Sequence, residues 1–411
     1  MQPRRLFGRL VLAALGLLAA LALAEVGLRL AASRVERSTS QAAGGVAFDI
    51  LCVGDSYTYG LGSEDGKGYP EHLQDLLDQA WGPGAARVHN AGLPGQNSSQ
   101  AADSLPAHLA RVAPELVILL VGHNNTWNFN DLHLAPGEGE AVTRGAGLLG
   151  RLRVVRLLRL ALGWDLGRQE RAEQAAQGID AAGMNADPEA EAWFKWQDKR
   201  ARQDKQDREE ARWRSVLQEH PEDVFALLQR SALADSDGRP AEAQALRARA
   251  RSVDPTAVDR LEARQRTIEA WHQARHARGE DAYLERSPES RARLYSALGS
   301  APEAAPEALL QEVARRDLAA MVAEARAAGA RVILMNYASA TKQVGPVLAE
   351  AAGALGVPFV DQEARFDALA AAGSPLADLF VLDGHCTSLG YQRMAENLLP
   401  EVERAREDTD P

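Results

Sequence analysis

Serine, histidine and a carboxylate occur at two places in this chain, the end of a strand-like run and the loop just before the last predicted helix. Ser56 closes the run ILCVGDS, and the segment FVLDGHCTSLGY holds Asp383 and His385. A serine hydroxyl becomes an effective nucleophile when a base takes its proton and donors stabilise the oxyanion that its attack creates. We therefore expect Ser56 to be the nucleophile and His385 its base, with Asp383 as the carboxylate available to orient the imidazole.

Donors for an oxyanion follow two other strand-like runs. The segment HNAGLPGQNSS offers the backbone N–H of Gly92 or Gly95, and LLVGHNNTW offers the side-chain amide of Asn124. Further polar and aromatic side chains beside these residues are expected to contact the substrate or to line its pocket: Asp55, Tyr57, His123, Trp127 and Asn128.

Each of these residues also has a common structural use. Asp55 and Ser56 can cap a helix, His385 can lie in a surface loop, Asn124 can occupy a turn, and Trp127 can be a packing residue. Chance uses do not explain why serine, histidine, carboxylate, glycine and amide all fall at one edge of the predicted sheet. Their joint placement favours a catalytic site.

The elements that must position these residues alternate between strand and helix over 46–139 and again over 306–405. Continuous apolar runs such as ELVILLVG are typical of strands covered on both faces, and the alternation predicts an α/β fold with a parallel sheet. The carboxyl ends of parallel strands meet at one edge of a sheet. The predicted elements include a broken helix at SSQAADSLPAHLARVAP.

An all-α insertion over 140–305 separates the two halves. It opens with a basic amphipathic helix at 148–164, which can cover a core or lie on a membrane surface, and continues with a charged, solvated helix. Pro221 and Pro255 are 34 residues apart, and the segment at about 205–255 resembles a tetratricopeptide repeat. The repeat residues are Ser231, Ala243 and Ala250 at packing positions and Gly238 at the turn.

Four sequence blocks together resemble the SGNH, or GDSL-type, hydrolases. They are Gly54-Asp55-Ser56, Gly95, Asn124 and His385, in the family's order, and the resemblance covers about 46–130 and 306–405. It implies a three-layer α/β/α, flavodoxin-like fold. It also implies Ser56 as nucleophile, His385 as general base and acid, and an oxyanion hole formed by the Ser56 and Gly95 N–H groups with the Asn124 amide.

Two positions depart from the family's pattern. The family's acid usually stands three residues before the histidine, where this chain has Leu382, whereas Asp383 is two residues before it. Related polysaccharide O-acetyltransferases show a similar short spacing. The third block commonly ends Asn-Asp and here reads Asn124-Asn125, which removes a charge near the pocket.

The amino terminus predicts export. Arg4, Arg5 and Arg9 precede an apolar run over 10–24, so we expect residues 1–35 to be a signal or membrane anchor that leaves the rest outside the cytoplasm. The run is short for a spanning helix, and Ala22-Leu23-Ala24 offers a cleavage site. The pattern continues through EVGLRLAA, however, which favours an uncleaved N-terminal hydrophobic helix.

Composition limits the partners. The formal net charge of -11 disfavours nucleic acid, and we expect neither a metal nor another cofactor. Two cysteines cannot form a disulfide framework. Cys52 and Cys386 could pair if Ser56 and His385 meet, but two buried free thiols are the favoured interpretation.

The sequence thus predicts an exported serine ester hydrolase or acyltransferase of the cell envelope. Its substrate would be an acyl ester of a lipid or glycan. An alternative is an inactive envelope scaffold that binds a protein through the insertion. In an active enzyme, the insertion could be a lid or a platform for a partner.

Overall fold

Five parallel strands form the central sheet of this protein, described here from a computed structural model that covers residues 47–135, 188–278, 288–298, 306–339 and 344–407. The strand order is β2-β1-β3-β4-β5. The strands are β1 (Phe48–Gly54), β2 (Ala86–Gly92), β3 (Leu116–Leu120), β4 (Arg331–Met335) and β5 (Phe359–Val360). From Phe48 onward, the described residues fall within one unit, Phe48–Pro136 with Ala186–Pro411.

Helices surround this sheet and fill the insertion. Those of the first half are α1 (Ser56–Tyr59), α2 (Tyr69–Trp81) and α3 (Ser98–Val112). Those between the halves are α4 (Pro188–Glu219), α5 (Val224–Ser236), α6 (Pro240–Val253), α7 (Pro255–Ala277) and α8 (Pro288–Ala297). Those of the second half are α9 (Pro306–Ala327), α10 (Gly345–Leu355), α11 (Gln362–Ala371), α12 (Leu376–Leu379) and α13 (Ser388–Glu407).

The helices of the two halves form layers over the faces of the sheet. Helix α2 packs against α13, while α9 packs against both α3 and α10. Strands β1 and β3 are buried along their whole length, as expected for strands covered on both faces. The predicted three-layer α/β/α fold with an all-helical insertion is therefore confirmed.

The register aligns the ends of the three strands that precede the candidate site. Gly54 of β1 lies beside Gly92 of β2 and beside Leu120 of β3. The loops that carry Ser56, Gly95 and Asn124 consequently begin at the same level of the sheet.

Helix α3 differs from the sequence expectation, because it is continuous rather than broken. Pro106 lies inside it, yet the helix runs from Ser98 to Val112. Proline removes one backbone hydrogen bond and disfavours an isolated helix. Here the buried face formed by Ala101, Leu105 and Leu109 holds the turns on both sides of Pro106 against the core.

The inserted helices share the hydrophobic core of the sheet. Phe225 and Leu227 of α5, together with Val258 and Leu261 of α7, belong to the same buried cluster as the strands. The charged segment at 193–213 lies within α4, and its last residue, Trp213, also joins this cluster.

Helices α5 and α6 pack closely through small side chains. Ser231, Ala243 and Ala250 are fully buried, and the Ser231 hydroxyl donates to the Ala243 carbonyl at 2.9 Å. Pro255 begins the next helix. These contacts fit the predicted packing positions, and the tetratricopeptide resemblance itself stays a prediction.

Several predictions concern segments outside the described residues. The predicted anchor at 1–35 and the basic amphipathic helix at 148–164 lie there. Among the helices of the described ranges, none is both long and apolar enough to span a membrane.

Both cysteines are free and buried, as the favoured interpretation predicted. Burial raises the pKa of each thiol well above its ordinary value. The Cys386 thiol lies 3.8 Å from the Met394 sulfur in the core.

Candidate active site

The turn after β1 presents Ser56 at the start of helix α1. A Cβ at Gly54 would lie 2.1 Å from the Thr58 hydroxyl oxygen and 2.5 Å from the Leu120 carbonyl oxygen, so only glycine permits this approach. Asp55 is the N-cap of α1, and its carboxylate accepts a hydrogen bond from the Tyr57 N–H at 3.0 Å. The Ser56 N–H belongs to the first turn, where N–H groups have no partner within the helix.

Ser56, His385 and Asp383 form a continuous hydrogen-bonded chain. The distance from Ser56 Oγ to His385 Nε2 is 2.8 Å, and that from His385 Nδ1 to Asp383 Oδ1 is 2.9 Å. The geometry fits the tautomer in which Nδ1–H donates to Asp383 and Nε2 accepts from the serine hydroxyl. His385 can therefore take the serine proton, and the carboxylate can stabilise the imidazolium that results.

A tight turn allows the two-residue spacing between the acid and the base. Gly384 has a φ of 91°, in the left-handed region that favours glycine. Asp383 Oδ1 also accepts the backbone N–H of His385 at 3.0 Å, and Val381 N–H donates to the His385 carbonyl at 2.9 Å. The carboxylate thus lies beside its own loop and still reaches the imidazole.

The environment of Asp383 favours its charged form. Burial is the largest influence and opposes ionisation. The electrostatic attraction of His385, the two hydrogen bonds from that residue and a smaller attraction of His272 outweigh it and lower the pKa of Asp383 below its ordinary value. Asp383 is consequently an anion at neutral pH, as the orienting role requires.

Tyr57 lines the pocket and supports the turn that carries the acid and the base. Its ring lies 5.1 Å from the His385 ring, measured between centroids. Its hydroxyl is hydrogen-bonded to the Gly384 carbonyl and, at 2.7 Å, to the Ser339 hydroxyl. Tyr57 therefore combines the predicted pocket position with a structural contact that the sequence did not indicate.

The predicted oxyanion donors Gly95 and Asn124 border the same pocket as Ser56. The indole N–H of Trp127 donates to Asn124 Oδ1 at 2.9 Å, and Asn124 Nδ2 donates to the Gln96 carbonyl at 2.9 Å. Because indole nitrogen only donates and a carbonyl only accepts, these contacts fix the orientation of the Asn124 amide. Its second N–H makes a longer contact of 3.3 Å with Asp55.

Comparison with protein-family models matches residues 52–257 to the GDSL-like lipase/acylhydrolase family. The chain belongs to this family. The matched range contains Ser56, Gly95 and Asn124, whereas Asp383 and His385 lie beyond it. No curated protein matches the chain.

Two solved structures of AlinE4, an SGNH-hydrolase family esterase, resemble parts of this GDSL-like chain. A mutant of AlinE4 is 27% identical over 27% of this chain, and a second AlinE4 structure is 28% identical over 26% of it. Their TM-scores are 0.20 and 0.19, and the chain covers 56% and 55% of those two structures, respectively.

The pocket of this GDSL-like protein has a volume of about 200 Å³. Its lining contains Ser56, Asp383 and His385, five further residues that the sequence predicted for the site, and four that the sequence did not indicate. The predicted ones are Tyr57, Gly95, His123, Asn124 and Trp127. The unpredicted ones are Leu61, Pro94, Trp271 and His272.

Two predicted pocket residues lie behind the lining instead. Asp55 is 1% exposed and bonds to Tyr57, Tyr337 and Asn124. Asn128 is also buried, and its amide donates to the Gly95 carbonyl at 2.8 Å. Asp55 thus supports the turn that carries Ser56, and Asn128 supports the loop that carries Gly95. Within the described ranges, no three His, Cys, Asp or Glu side chains are grouped to hold a metal ion.

Proposed function

We propose that this protein is a serine ester hydrolase that works through an acyl-enzyme at Ser56. The observation that carries this proposal is the chain of hydrogen bonds from Ser56 through His385 to Asp383, at 2.8 and 2.9 Å. Membership in the GDSL-like lipase/acylhydrolase family supports it. The unbroken series of hydrogen bonds from Ser56 to Asp383 also argues against an inactive scaffold, because only catalysis requires the imidazole to be oriented in this way.

The chemistry follows from these positions. As Ser56 Oγ attacks the ester carbonyl carbon, its proton passes to His385 Nε2, and the carbonyl oxygen becomes an oxyanion beside the N–H groups of Ser56 and Gly95. The Asn124 amide would join them by exchanging its 3.3 Å contact with Asp55 for the oxyanion. His385 then donates the proton to the alkoxide that leaves, which gives an alcohol and an acyl-enzyme. A water loses a proton to His385 as it attacks the acyl carbon, and His385 returns that proton to Ser56 Oγ as the acid leaves, which restores the serine hydroxyl. An acceptor hydroxyl in place of water would make the reaction an acyl transfer.

We further propose that the chain is exported and held at the cell envelope by residues 1–35. The support is the sequence, in which Arg4, Arg5 and Arg9 precede the apolar run over 10–24. An acyl or acetyl ester of an envelope lipid or glycan would then be the accessible substrate. Recovery of the chain in the cytosolic fraction after cell fractionation would contradict this location.

The first test measures hydrolysis of p-nitrophenyl acetate and p-nitrophenyl butyrate by the full chain. We expect Ser56→Ala to abolish activity. We expect Asp383→Asn to lower kcat by about 10³- to 10⁴-fold, because the imidazole loses the carboxylate that selects its tautomer. The exposed residues Ser252 and Asp207 provide controls, and Ser252→Ala and Asp207→Asn should retain wild-type activity.

Labelling by a fluorophosphonate separates the remaining outcomes. An acyltransferase that lacks its acceptor would be labelled at Ser56 while hydrolysing little ester. A folded wild-type protein that is neither labelled nor active would overturn the proposed function in favour of a scaffold.

A further inference from the structure

One inserted helix contributes directly to the pocket around Ser56. Trp271 and His272 of α7 line it together with Leu61, Asp383 and His385. Both α7 residues lie beyond the range matched to the GDSL-like family, which ends at residue 257. The pocket wall that α7 forms therefore comes from the insertion and not from either half of the sheet domain.

Trp271 is held in place by contacts on several sides. Its ring lies 5.7 Å from the ring of Tyr59, the last residue of α1, and the Arg275 guanidinium carbon lies 4.8 Å from the Trp271 ring centroid. It also packs on a small apolar cluster of Leu61, Ile268 and Val381. Packing contacts therefore hold the Trp271 side chain in one position.

The same apolar cluster connects α7 with both catalytic loops. The Leu61 N–H donates to the Ser56 carbonyl at 3.0 Å, and the Val381 N–H donates to the His385 carbonyl at 2.9 Å. Leu61 and Val381 are nearly inaccessible to solvent. Trp271 consequently covers Leu61 and Val381, whose backbones are hydrogen-bonded to those of Ser56 and His385.

Ion pairs fix α7 over this surface. Arg264 pairs with Glu64 in the loop after α1, and Arg260 pairs with Asp378 of α12 at 2.7 Å. Glu64 follows Ser56 in the chain, and Asp378 precedes Asp383 and His385. The helix is therefore tied to both parts of the site it covers.

The size and character of the pocket indicate what it accepts. Its volume of about 200 Å³ lies below the ~300–1,000 Å³ of sites for drug-sized ligands. The surface formed by Leu61, Tyr57 and Trp271 is apolar. Such a surface suits the hydrocarbon part of an acyl group better than a polar, hydrated substituent. An acyl chain that extends along this apolar surface would meet the Trp271 ring.

We propose that Trp271 is a specificity-determining residue that closes the apolar side of the pocket and restricts the acyl group to short chains. The proposal rests on the ester hydrolase function proposed above, and it gives the insertion the role of a pocket wall. A smaller residue at position 271 would extend the pocket along Tyr59, which is 40% exposed.

The test compares kcat/KM for p-nitrophenyl acetate, butyrate and octanoate in the full chain. We expect wild type to prefer acetate or butyrate. Trp271→Ala should raise the ratio of octanoate to acetate by about tenfold or more, and Trp271→Leu should raise it less. Trp196→Ala is the matched control, because Trp196 is a 47% exposed tryptophan on inserted helix α4.

Each outcome gives a distinct conclusion. An active wild type whose chain-length profile is unchanged in both Trp271 variants would overturn the specificity role alone. So would a change in kcat/KM of equal size for all three esters, because they share the p-nitrophenol leaving group and differ only in acyl length. A folded wild type that neither hydrolyses ester nor reacts with fluorophosphonate would overturn the proposed function together with this role. Circular dichroism identifies a misfolded Trp271→Ala, in which case Trp271→Leu decides the result.

Discussion

Asp55 illustrates how a residue next to Ser56 can serve the fold rather than the substrate. One carboxylate oxygen caps α1 through the Tyr57 N–H, and the other accepts the Tyr337 hydroxyl at 2.7 Å and the Asn124 amide at 3.3 Å. Burial is the dominant influence on this group, and it raises the pKa of Asp55 from 3.8 to about 6 despite these hydrogen bonds. The folded protein therefore holds this proton more tightly than the unfolded chain does.

The raised pKa of Asp55 predicts how Asp55→Asn changes stability with pH. The favourable contribution of the protonated carboxyl is fully present below pH about 4 and is lost as pH rises through about 6. The free energy of unfolding of Asp55→Asn, relative to wild type, should therefore increase by up to about 3 kcal/mol between pH 4 and pH 8. Urea denaturation at four pH values measures this difference. The exposed control Asp207→Asn should show none, and a parallel shift in both variants would contradict the prediction.

At the scale of elements, the inserted helices support the loop that carries Asp383 and His385. Gln229 of α5 donates its amide to the carbonyl of Leu382 at 2.8 Å, directly before Asp383. On the same helix, the ring of Phe225 lies 6.4 Å from the ring of Phe380. The insertion thus contacts the acid's loop through α5 and the pocket through α7, so its removal would expose core and site together.

Gln229→Met tests the contact between α5 and the loop. The substitution keeps the side-chain length but leaves the Leu382 carbonyl without its donor. We expect kcat to fall about 3- to 10-fold with little change in KM, because the carboxylate is less well positioned while the pocket wall is intact. The free energy of unfolding should fall by about 1 kcal/mol.

Gln203→Met on α4 is the matched control, because the Gln203 amide lies on an exposed helix surface and donates to Asp207 of the same helix at 3.0 Å. If Gln229→Met lost stability as expected but retained wild-type kcat, the contact would be structural and the positioning role would be rejected.

At the scale of the whole molecule, a buried polar network joins the two halves that the insertion separates. Asp317 of α9 is 2% exposed and accepts the hydroxyls of Ser98 and Ser99 of α3, at 2.5 and 2.7 Å. His133 Nδ1 lies 2.7 Å from Asp317, and His133 Nε2 lies 3.3 Å from Asp103. Asn125, the residue that departs from the family's pattern, enters this network through Ser98 at 2.8 Å.

The network predicts a large effect of His133→Gln on stability. Hydrogen bonds with Asp103 and Asp317 raise the pKa of His133 to about 10, so its charge stabilises the fold below pH about 6.5 and this contribution is lost as pH rises through about 10. Removing one partner of a buried pair costs about 3–5 kcal/mol. Unfolding at pH 6 should show a loss of this size, and the difference from wild type should shrink towards pH 10.

His276→Gln, at the exposed end of α7, is the control for this measurement and should match wild type. A difference between His133→Gln and wild type that is constant from pH 6 to pH 10 would show that the charge of His133 does not stabilise the pair.

The sequence by itself determined the α/β fold and predicted positions for Ser56, Gly95, Asn124 and His385. Strand and helix alternate visibly in the apolar pattern, and parallel strands bring the loops at their carboxyl ends to one edge whatever the details of packing. The sequence also shows a carboxylate, Asp383, two residues before His385. These inferences depend on periodicity and chain direction, which a sequence carries directly, except that the choice of Gly95 over Gly92 depends on the resemblance to the GDSL-type family.

Only the tertiary structure decided the rest of the site. It placed Trp271 and His272 of α7 in the pocket, and it buried Asp55 against Tyr337 of the second half. It also showed that Gly384 turns the loop so that Asp383 reaches His385 across the short spacing. For Trp271, His272 and Asp55, the physical reason is that their contacts join elements far apart in the chain. Their existence depends on how helices dock on the sheet, and no local pattern of residues records that docking.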